Sequence, residues 1–531
     1  MNKSDWQENL TFITQSKRKG FGISHQTIQA KDTRVRVRAI WAVFVVSMAL
    51  IVAKIAYLQI VERGQHQLTS YANHVELKRQ AAPRGVVYDR NGVALVENIA
   101  DENKYLRVYP LREAISPIMG YLSEVRESEL GCLEGLCYRS GSEVGRGGVE
   151  QVMESSLRGR EGGRLVEVDS AGVEVREMGN NESEAGSDIS LTIDAGLQRI
   201  AYESLASKSG SVVAIDMQGK VLALVSSPSY DPSHLSDYLS DKDKMYFLNR
   251  PIAGTYPPGS VFKLVTSIAG LSEGKITRET KFEDTGEIKV GSYRYGNWYF
   301  DQYGMKEGSI SMVRALSRSN DIYFYKVGEE VGVDTLVKWA RKFGLGEKTG
   351  IELSGEVSGL VPDRLWKERA TGEKWFLGNT YHLAIGQGDL LVTPLQAARM
   401  TLGVVSGRLC KISILKDKAV DCSDLGLKTE DIAVVREGMG AACATSGTAF
   451  PFFTFNPPVL CKTGTAEHSG QNANDPKDKT GHVLPHAWIT VAYPGENPEM
   501  ILVVMLESAG EGSAEAGPVA KKIIEGWKAL G

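Results

Sequence analysis

A serine and a lysine stand three residues apart in the segment YPPGSVFKL, as Ser260 and Lys263. The Pro-Pro-Gly before Ser260 stops any preceding element, and the apolar run after it predicts a buried helix that begins at this serine. Residues three apart share one helical face, so the hydroxyl and the amine should meet within one turn. Burial lowers the pKa of an amine, which can then take the hydroxyl proton. The pair is a candidate nucleophile and general base, and the helix N-terminus would stabilise an oxyanion beside it.

The S-x-x-K spacing alone does not identify the site, because it recurs at Ser16, Ser272 and Ser413. Ser16 precedes any predicted core, and Ser272 lies in the turn-like segment LSEGK. Ser413 is the stronger rival, although no Pro-Gly stop precedes it.

A second pattern, Lys-Thr-Gly, begins at Lys348, Lys462 and Lys479. Only the copy at Lys462 follows a strand-like run (PVLC) and continues into small hydroxyl residues, Thr463 and Thr465. The other two copies are interpreted as loop segments. Lys462 is therefore predicted to lie in the sheet of a large domain.

The ordered motifs together resemble those of penicillin-binding proteins and serine β-lactamases. They are Ser260-x-x-Lys263, Ser319-Asn320-Asp321 and Lys462-Thr463-Gly464-Thr465. The long intervals between them suit a transpeptidase domain rather than a compact β-lactamase. The segments APRGVVYDRNG, GSDISLTID and IGQG through TPLQ are also similar to class B, monofunctional penicillin-binding proteins. The resemblance covers roughly residues 57–531, and the sequence IYFY after the middle motif favours the elongation-type members over the division enzymes.

The resemblance implies a peptidoglycan D,D-transpeptidase that cross-links stem peptides through an acyl-enzyme, releases D-Ala and binds β-lactams covalently. Ser260 would be the nucleophile, Lys263 its base, and Ser319 the proton shuttle to the leaving amine. Lys462 would bind the substrate carboxylate and help to keep Lys263 neutral by like-charge repulsion. The backbone N–H groups of Ser260 and Thr465 would form the oxyanion hole.

Five further residues are implied as substrate-binding: Asn320, Asp321, Thr463, Gly464 and Thr465. The family usually carries Asn at the third position of the middle motif, where this chain has Asp321. Asp321 would either hydrogen-bond substrate as Asn does or pair with a lysine. No cofactor and no metal are expected.

The fold predicted is α/β (α+β), with an antiparallel sheet covered by helices, as the family fold implies. A hairpin is predicted at 211–226, helices at 194–207, 333–343 and 518–530, and strands at 487–493 and 500–506. The domains expected are a cytoplasmic tail (1–38), a transmembrane helix (39–60), a pedestal (61–186) and a transpeptidase domain (187–531). The pedestal would hold the catalytic domain away from the membrane and contact partners, or serve only as a spacer.

The apolar run AIWAVFVVSMALIVA from Ala39 to Ala53 predicts a membrane anchor. A cleaved signal peptide is the alternative, but a long segment precedes the run and no clear cleavage site follows it. Lysines and arginines before the run predict a single pass through the inner or plasma membrane with a cytoplasmic N-terminus and an extracytoplasmic catalytic domain. The net charge of −4 suggests no nucleic-acid partner.

All six cysteines follow the anchor, on the side where disulfides persist. Short loops favour Cys132–Cys137, and Cys410–Cys422 is a plausible second pair. Cys461 is interpreted as a buried strand thiol rather than a nucleophile.

Other functions stay open at this point. A membrane-anchored β-lactamase would need an efficient water-activating base, which the sequence does not reveal. A β-lactam sensor would need signalling machinery larger than the short tail, and a catalytically dead scaffold would show a broken motif. The partners implied are a polytopic glycan polymerase and other elongation-complex proteins.

Overall fold

The computed structural model describes residues 31–64, 74–101, 104–133, 136–169, 171–241, 243–470, 475–479 and 481–530. The chain divides into two units, one of residues 1–78 and 165–179 and the other of residues 79–164 and 180–531. The domain boundaries predicted at residues 61 and 187 stay predictions.

The strands are, in chain order, β1 (Val75–Gln80), β2 (Val87–Tyr88), β3 (Ala94–Asp101), β4 (Lys104–Val108), β5 (Tyr121–Glu124), β6 (Gly131–Leu133), β7 (Leu136–Tyr138), β8 (Glu143–Arg146), β9 (Gly162–Val168), β10 (Glu174–Asn181), β11 (Ile189–Ser190), β12 (Gly210–Asp216), β13 (Val221–Ser227), β14 (Lys281–Asp284), β15 (Glu287–Val290), β16 (Tyr293–Gly296), β17 (Gly308–Ser311), β18 (Arg408–Cys410), β19 (Cys422–Asp424), β20 (Leu460–Ala466), β21 (His486–Tyr493) and β22 (Met500–Leu506).

The α-helices are, in chain order, α1 (Lys31–Ile60), α2 (Ser116–Met119), α3 (Gly148–Val152), α4 (Glu154–Leu157), α5 (Ala195–Leu205), α6 (Arg250–Ala253), α7 (Lys263–Ser272), α8 (Trp298–Tyr303), α9 (Met312–Arg318), α10 (Asp321–Val331), α11 (Val333–Lys342), α12 (Arg364–Thr371), α13 (Leu377–Ala384), α14 (Pro394–Ser406), α15 (Thr429–Cys443) and α16 (Gly517–Leu530).

The first unit contains the long apolar helix α1. An 18-residue window of its segment Arg34–Ile60 has a mean hydropathy of 2.3, and none of that window is buried. By length and composition the helix could cross a membrane. Strands β1, β9 and β10 form a three-stranded sheet in the order β1-β9-β10.

A five-stranded antiparallel sheet forms the centre of the second unit, in the order β13-β12-β22-β21-β20. The predicted hairpin is β12–β13, and the two predicted strands near the C-terminus are β21 and β22. Strand β20, which carries Lys462, lies at the edge of the sheet. One edge of β20 is therefore free of sheet partners among the residues that the structure describes.

Both faces of this sheet are buried. Alternate residues of β22 enter two separate cores, with Ile501 and Val503 in one and Leu502 and Val504 in the other. The first core contains α7 and α14, and the second contains α5 and α16. Because a strand buried on both faces needs apolar residues at every position, β21 and β22 are continuous apolar runs rather than alternating ones. Helices cover both faces of the sheet, as the predicted fold class requires.

The predicted helices form close to their expected bounds. Asp194 caps α5, because its side chain accepts a hydrogen bond from the Leu197 N–H at 2.9 Å. The helix predicted at 333–343 is α11, and the C-terminal helix is α16.

Candidate active site

Ser260 lies in the first turn of a buried helix, as predicted. That turn is a 3₁₀ turn, Gly259–Phe262, and the α-helix α7 continues from Lys263. Gly259 has φ 55°, and a Cβ there would stand 2.8 Å from the Thr465 oxygen. Only glycine fits this conformation and this approach, so the nucleophile turn packs directly against strand β20.

Lys263 is fully buried, but its amine makes no hydrogen bond with the Ser260 hydroxyl. Its Nζ donates to the Asp321 carboxylate at 2.7 Å, to the Ser319 carbonyl at 2.8 Å and to Ser319 Oγ at 3.3 Å. Among the residues that the structure describes, the Ser260 hydroxyl makes no hydrogen bond. The two groups that the sequence places within one turn therefore do not hydrogen-bond to each other, because a buried ammonium group is held more strongly by a carboxylate than by a hydroxyl.

The middle motif lies between two helices. Ser319 ends α9 in the left-handed conformation, with φ 52°, and Asn320 caps α10 by accepting from the Tyr323 N–H at 2.9 Å. The sharp turn directs Ser319 Oγ and the Asp321 carboxylate to Lys263. Asp321 also accepts from the Trp298 N–H at 3.2 Å.

Lys462 completes the cluster from strand β20. Strand alternation places Lys462 on the face that contributes Leu460 and Ala466 to the core of α7. Its fully buried Nζ donates to Ser319 Oγ at 2.8 Å and to the Thr463 carbonyl at 2.8 Å. Ser319 Oγ thus lies between the amines of both lysines.

Burial lowers the pKa of both lysines, and neighbouring charges act differently on the two pKa values. For Lys263, desolvation lowers the pKa while Asp321 raises it. For Lys462, desolvation and the charge of Lys263 hold the pKa well below its ordinary value, against the opposing effect of Asp321. The like-charge repulsion expected from the sequence therefore acts mainly on Lys462, because the carboxylate pairs with Lys263.

The remaining motif residues have distinct surroundings. Asn320 is buried and both polar ends of its amide are bonded within the protein, to the Tyr323 N–H and to Asp284. Thr463 donates to Thr448 Oγ1 at 2.9 Å. Thr465 shares the face of Thr463, opposite Lys462.

Gly464 allows β20 to approach the nucleophile turn. A Cβ at this position would stand 3.0 Å from the Pro258 oxygen, the Val261 side chain and the Trp488 side chain. This packing explains why the motif needs glycine between two threonines.

The rival motifs lie elsewhere. Ser413 is buried in an extended segment, where Lys416 donates to the Arg90 carbonyl, and Ser272 ends α7 and donates to Asp431. Ser16 falls outside the described residues. Lys348 and Lys479 are exposed, as expected of loop lysines.

Sequence reasoning missed two supports of the site. Gln387 donates to the Thr465 carbonyl at 3.1 Å, and the Gly259 N–H donates to the Gly386 carbonyl at 2.9 Å. The IGQG segment was visible as a motif, but its contact with the nucleophile turn depends on tertiary packing. Within the described ranges, no group of three or more His, Cys, Asp or Glu side chains is arranged to hold a metal ion.

The cysteine predictions have mixed outcomes. Disulfides join Cys132 to Cys137 and Cys410 to Cys422, as the short loops indicated. The prediction of a free thiol at Cys461 is wrong, because Cys461 forms a disulfide with Cys443 at the end of α15. That bond ties the strand of Lys462 to a neighbouring helix.

A serine in the first turn of a helix, a buried lysine three residues after it, a second buried lysine on an edge strand and a sheet covered by helices define a serine acyl-enzyme fold. Family models agree: residues 210–525 match the penicillin-binding protein transpeptidase domain, and residues 99–191 match the penicillin-binding protein dimerisation domain. The chain belongs to the penicillin-binding protein transpeptidase family. It is a penicillin-binding transpeptidase, and the family, fold class and enzyme class predicted from the sequence are confirmed.

Several known proteins are similar over most of their length. The peptidoglycan D,D-transpeptidase MrdA of Escherichia coli K12 is 28% identical, over 90% of this chain and 91% of its own. The penicillin-binding protein PBP2 of Helicobacter pylori, solved in complex with MreC, is 25% identical with a TM-score of 0.74, covering 86% of this chain and 99% of the other. A chain from a study of polymerization and crosslinking by a peptidoglycan synthase complex is 28% identical with a TM-score of 0.75, covering 93% and 99%.

Proposed function

We propose that this protein is an elongation-type peptidoglycan D,D-transpeptidase that cross-links stem peptides through an acyl-enzyme on Ser260. The single observation that carries the assignment is the cluster in which Ser319 Oγ lies within hydrogen-bond reach of both Lys263 and Lys462. The likeness to MrdA of Escherichia coli supports the choice of elongation over division.

Acylation begins with the Ser260 hydroxyl. Lys263 takes its proton, Oγ attacks the carbonyl carbon of the penultimate D-Ala, and the N–H groups of Ser260 and Thr465 stabilise the oxyanion. The proton then passes from Lys263 through Ser319 to the leaving amine, the C–N bond breaks and D-Ala departs. An acceptor amine attacks the ester and loses its proton to Lys263, which returns it to Ser260 Oγ.

The substrate carboxylate activates the site in this mechanism. Burial lowers the pKa of Lys263, but Asp321 opposes this effect and favours the protonated form, which cannot act as a base. A carboxylate bound near Lys462, by Thr463 and Thr465, raises the pKa of Lys462. Lys462 then draws a proton from Lys263 through Ser319 Oγ, which contacts both amines. Substrate binding therefore increases the fraction of Lys263 that is a free base.

Asp321 acts as the partner of Lys263 in this proposal, and Asn320 and Gly464 have positioning roles. The resemblance had implied substrate contacts for all three, with pairing to a lysine as the alternative for Asp321. Both polar ends of the Asn320 amide are already bonded within the protein, and Gly464 has no side chain and serves close packing.

We place the catalytic domain outside the cytoplasmic membrane, with α1 as its single anchor and the basic N-terminal segment in the cytoplasm. Positive charge before an apolar helix favours this orientation. A glycan polymerase and an MreC-like protein are the proposed partners, since solved relatives occur with such proteins. Peptidoglycan stem peptides and β-lactams are the proposed ligands.

The test is labelling of the detergent-solubilised full chain by a fluorescent penicillin, followed on a denaturing gel. We expect stable labelling that Ser260→Ala abolishes and that Ser413→Ala, in the rival motif, leaves unchanged. Rapid loss of label with hydrolysed drug would instead identify a β-lactamase. A sensor would be labelled but would not cross-link stem peptides in a coupled assay.

A further inference from the structure

The carboxylate of Asp284 lies beneath the middle motif and is almost completely buried. Its Oδ2 accepts three hydrogen bonds, from Asn297 Nδ2 at 3.0 Å, Asn320 Nδ2 at 2.8 Å and the Glu307 N–H at 3.0 Å. Its Oδ1 accepts a fourth, from the Gly286 N–H at 2.9 Å. No cation pairs with this carboxylate among the residues that the structure describes, so these N–H groups compensate its burial.

The Asp284 carboxylate fixes the orientation of two amides. An ionised carboxylate only accepts, so the NH₂ ends of Asn297 and Asn320 must face it. Their oxygens then point the other way. Asn297 Oδ1 accepts from the Asp321 N–H at 3.2 Å, and Asn320 Oδ1 accepts from the Tyr323 N–H at 2.9 Å.

These contacts determine where Asp321 lies. Its N–H is held by Asn297, one carboxylate oxygen is held by the Trp298 N–H, and the other binds Lys263 Nζ. Asn297 also precedes α8, whose first residue is Trp298, so displacement of Asn297 would disturb both contacts to Asp321.

We propose that Asp284 is a positioning residue of the transpeptidase, which acts through Asn297 and Asn320 to hold Asp321 against the Lys263 amine. The inference rests on the proposed function, in which Lys263 is the base. Asp284 touches no reacting atom, and its effect on catalysis passes through the protonation of Lys263.

An amide cannot replace the carboxylate of Asp284. The side chain of an Asp284→Asn variant would present one acceptor oxygen and an NH₂ group, and that NH₂ would face donors from Asn297, Asn320 or Gly286. At least one of these donors would lose its partner, or one of the two asparagine amides would have to rotate. Asp284→Asn therefore changes the hydrogen-bond pattern while preserving the side-chain volume.

The test measures the rate of acylation of the full chain by a fluorescent penicillin across the pH range. Asp284→Asn and Asn297→Ala are each expected to lower the rate by roughly 10- to 100-fold, as a misplaced catalytic group does. Both should also move the rising limb of the profile to lower pH, as Asp321→Asn does, because Lys263 then loses the interaction that favours its protonated form. In the double variant Asp284→Asn/Asp321→Asn, the rising limb should lie at the same pH as in Asp321→Asn alone.

The charged groups that face Lys263 are Asp321 and Lys462. Glu307, whose backbone N–H donates to Asp284, carries a carboxylate that pairs with Arg314 and Arg318. Asp334→Asn, at an exposed aspartate in α11, is the matched control and should leave the profile unchanged.

A lower rate with an unmoved limb would show a merely structural role and overturn the inference. If Asp284→Asn does not fold, Asn297→Ala decides the question, since it breaks the same link and leaves Asp284 bonded to Asn320. Absence of labelling in the wild-type protein would contradict the proposed function instead, so the two failures are distinguishable.

Discussion

At the scale of single residues, the site combines two fully buried lysines with one partly buried carboxylate. One carboxylate, that of Asp321, acts on both lysines, and it forms its ion pair with Lys263 rather than with Lys462. Burying an unpaired ammonium group is costly, so Lys462 is the lysine that burial brings closer to neutrality. In the proposed mechanism this asymmetry gives the two lysines different tasks, proton transfer for Lys263 and carboxylate binding for Lys462.

The Asp321→Asn variant tests this balance. An Asn can still hydrogen-bond Lys263 but removes the negative charge that raises the pKa of its amine. Lys263 then loses its proton at lower pH, and the rising limb of penicillin acylation should move to lower pH. The pH profile of the labelling rate measures this. An unmoved limb would mean that Asp321 does not set the protonation of Lys263.

At the scale of elements, the site forms where an edge strand meets a helix start. Strand β20 supplies Lys462 and Thr465, the turn before α7 supplies Ser260, and the junction of α9 and α10 supplies Ser319. The Cys443–Cys461 disulfide fastens α15 to β20 immediately before Lys462. Glycines at 259 and 464 allow the strand and the turn to pack closely.

Gly464→Ala should damage both stability and catalysis. A Cβ would stand 3.0 Å from the Pro258 oxygen, and relief would push β20 away from the Ser260 turn. We expect the free energy of unfolding to fall by about 1–3 kcal/mol and the acylation rate to fall by roughly 10- to 100-fold.

Urea unfolding and penicillin labelling measure these two effects. Gly440→Ala, in helix α15, is the control. A Cβ at Gly440 would meet only the Leu460 side chain, at an ordinary contact distance of 3.6 Å. Equal behaviour of the two variants would refute the packing argument.

At the scale of the whole molecule, the second unit carries a stacked pair of histidines beyond the active-site strand. His486 is buried and its ring lies 3.9 Å from the ring of His468. Burial and His468 lower the pKa of His486 to about 3, against a smaller opposing effect of Asp475. The neutral form of His486 is therefore the one that the fold accommodates.

The lowered pKa of His486 predicts that the folded protein loses stability in acid. The pKa of His486 is lower in the folded protein than in the unfolded chain, so the unfolded chain binds the proton first as the pH falls. Stability is fully present above about pH 6.5 and declines towards pH 3, by roughly 2 to 3 kcal/mol at pH 4.5.

Urea midpoints of the full chain at neutral and acidic pH test this expectation. His486→Gln, which can still accept from the Ser508 N–H, should reduce the acid sensitivity. His234→Gln at an exposed position should not. An equal acid response in all three proteins would exclude His486 as its source.

The sequence by itself determined the family, the sheet strands and the catalytic motifs. These features are local: Pro-Pro-Gly before Ser260 marks a helix start, and the continuous apolar runs of β21 and β22 mark strands buried on both faces. The strand-like run before Lys462 and the hydroxyl residues after it also distinguished this copy from the other Lys-Thr-Gly copies.

Only the tertiary structure decided which groups touch. It paired Lys263 with Asp321 instead of Ser260, joined Cys461 to Cys443, and placed Asp284 beneath the middle motif. These contacts join residues that are distant in the chain, and each depends on how helices and strands pack around a buried charge or thiol. Local periodicity reports which face of an element is buried, but not which partner from elsewhere in the chain meets that face.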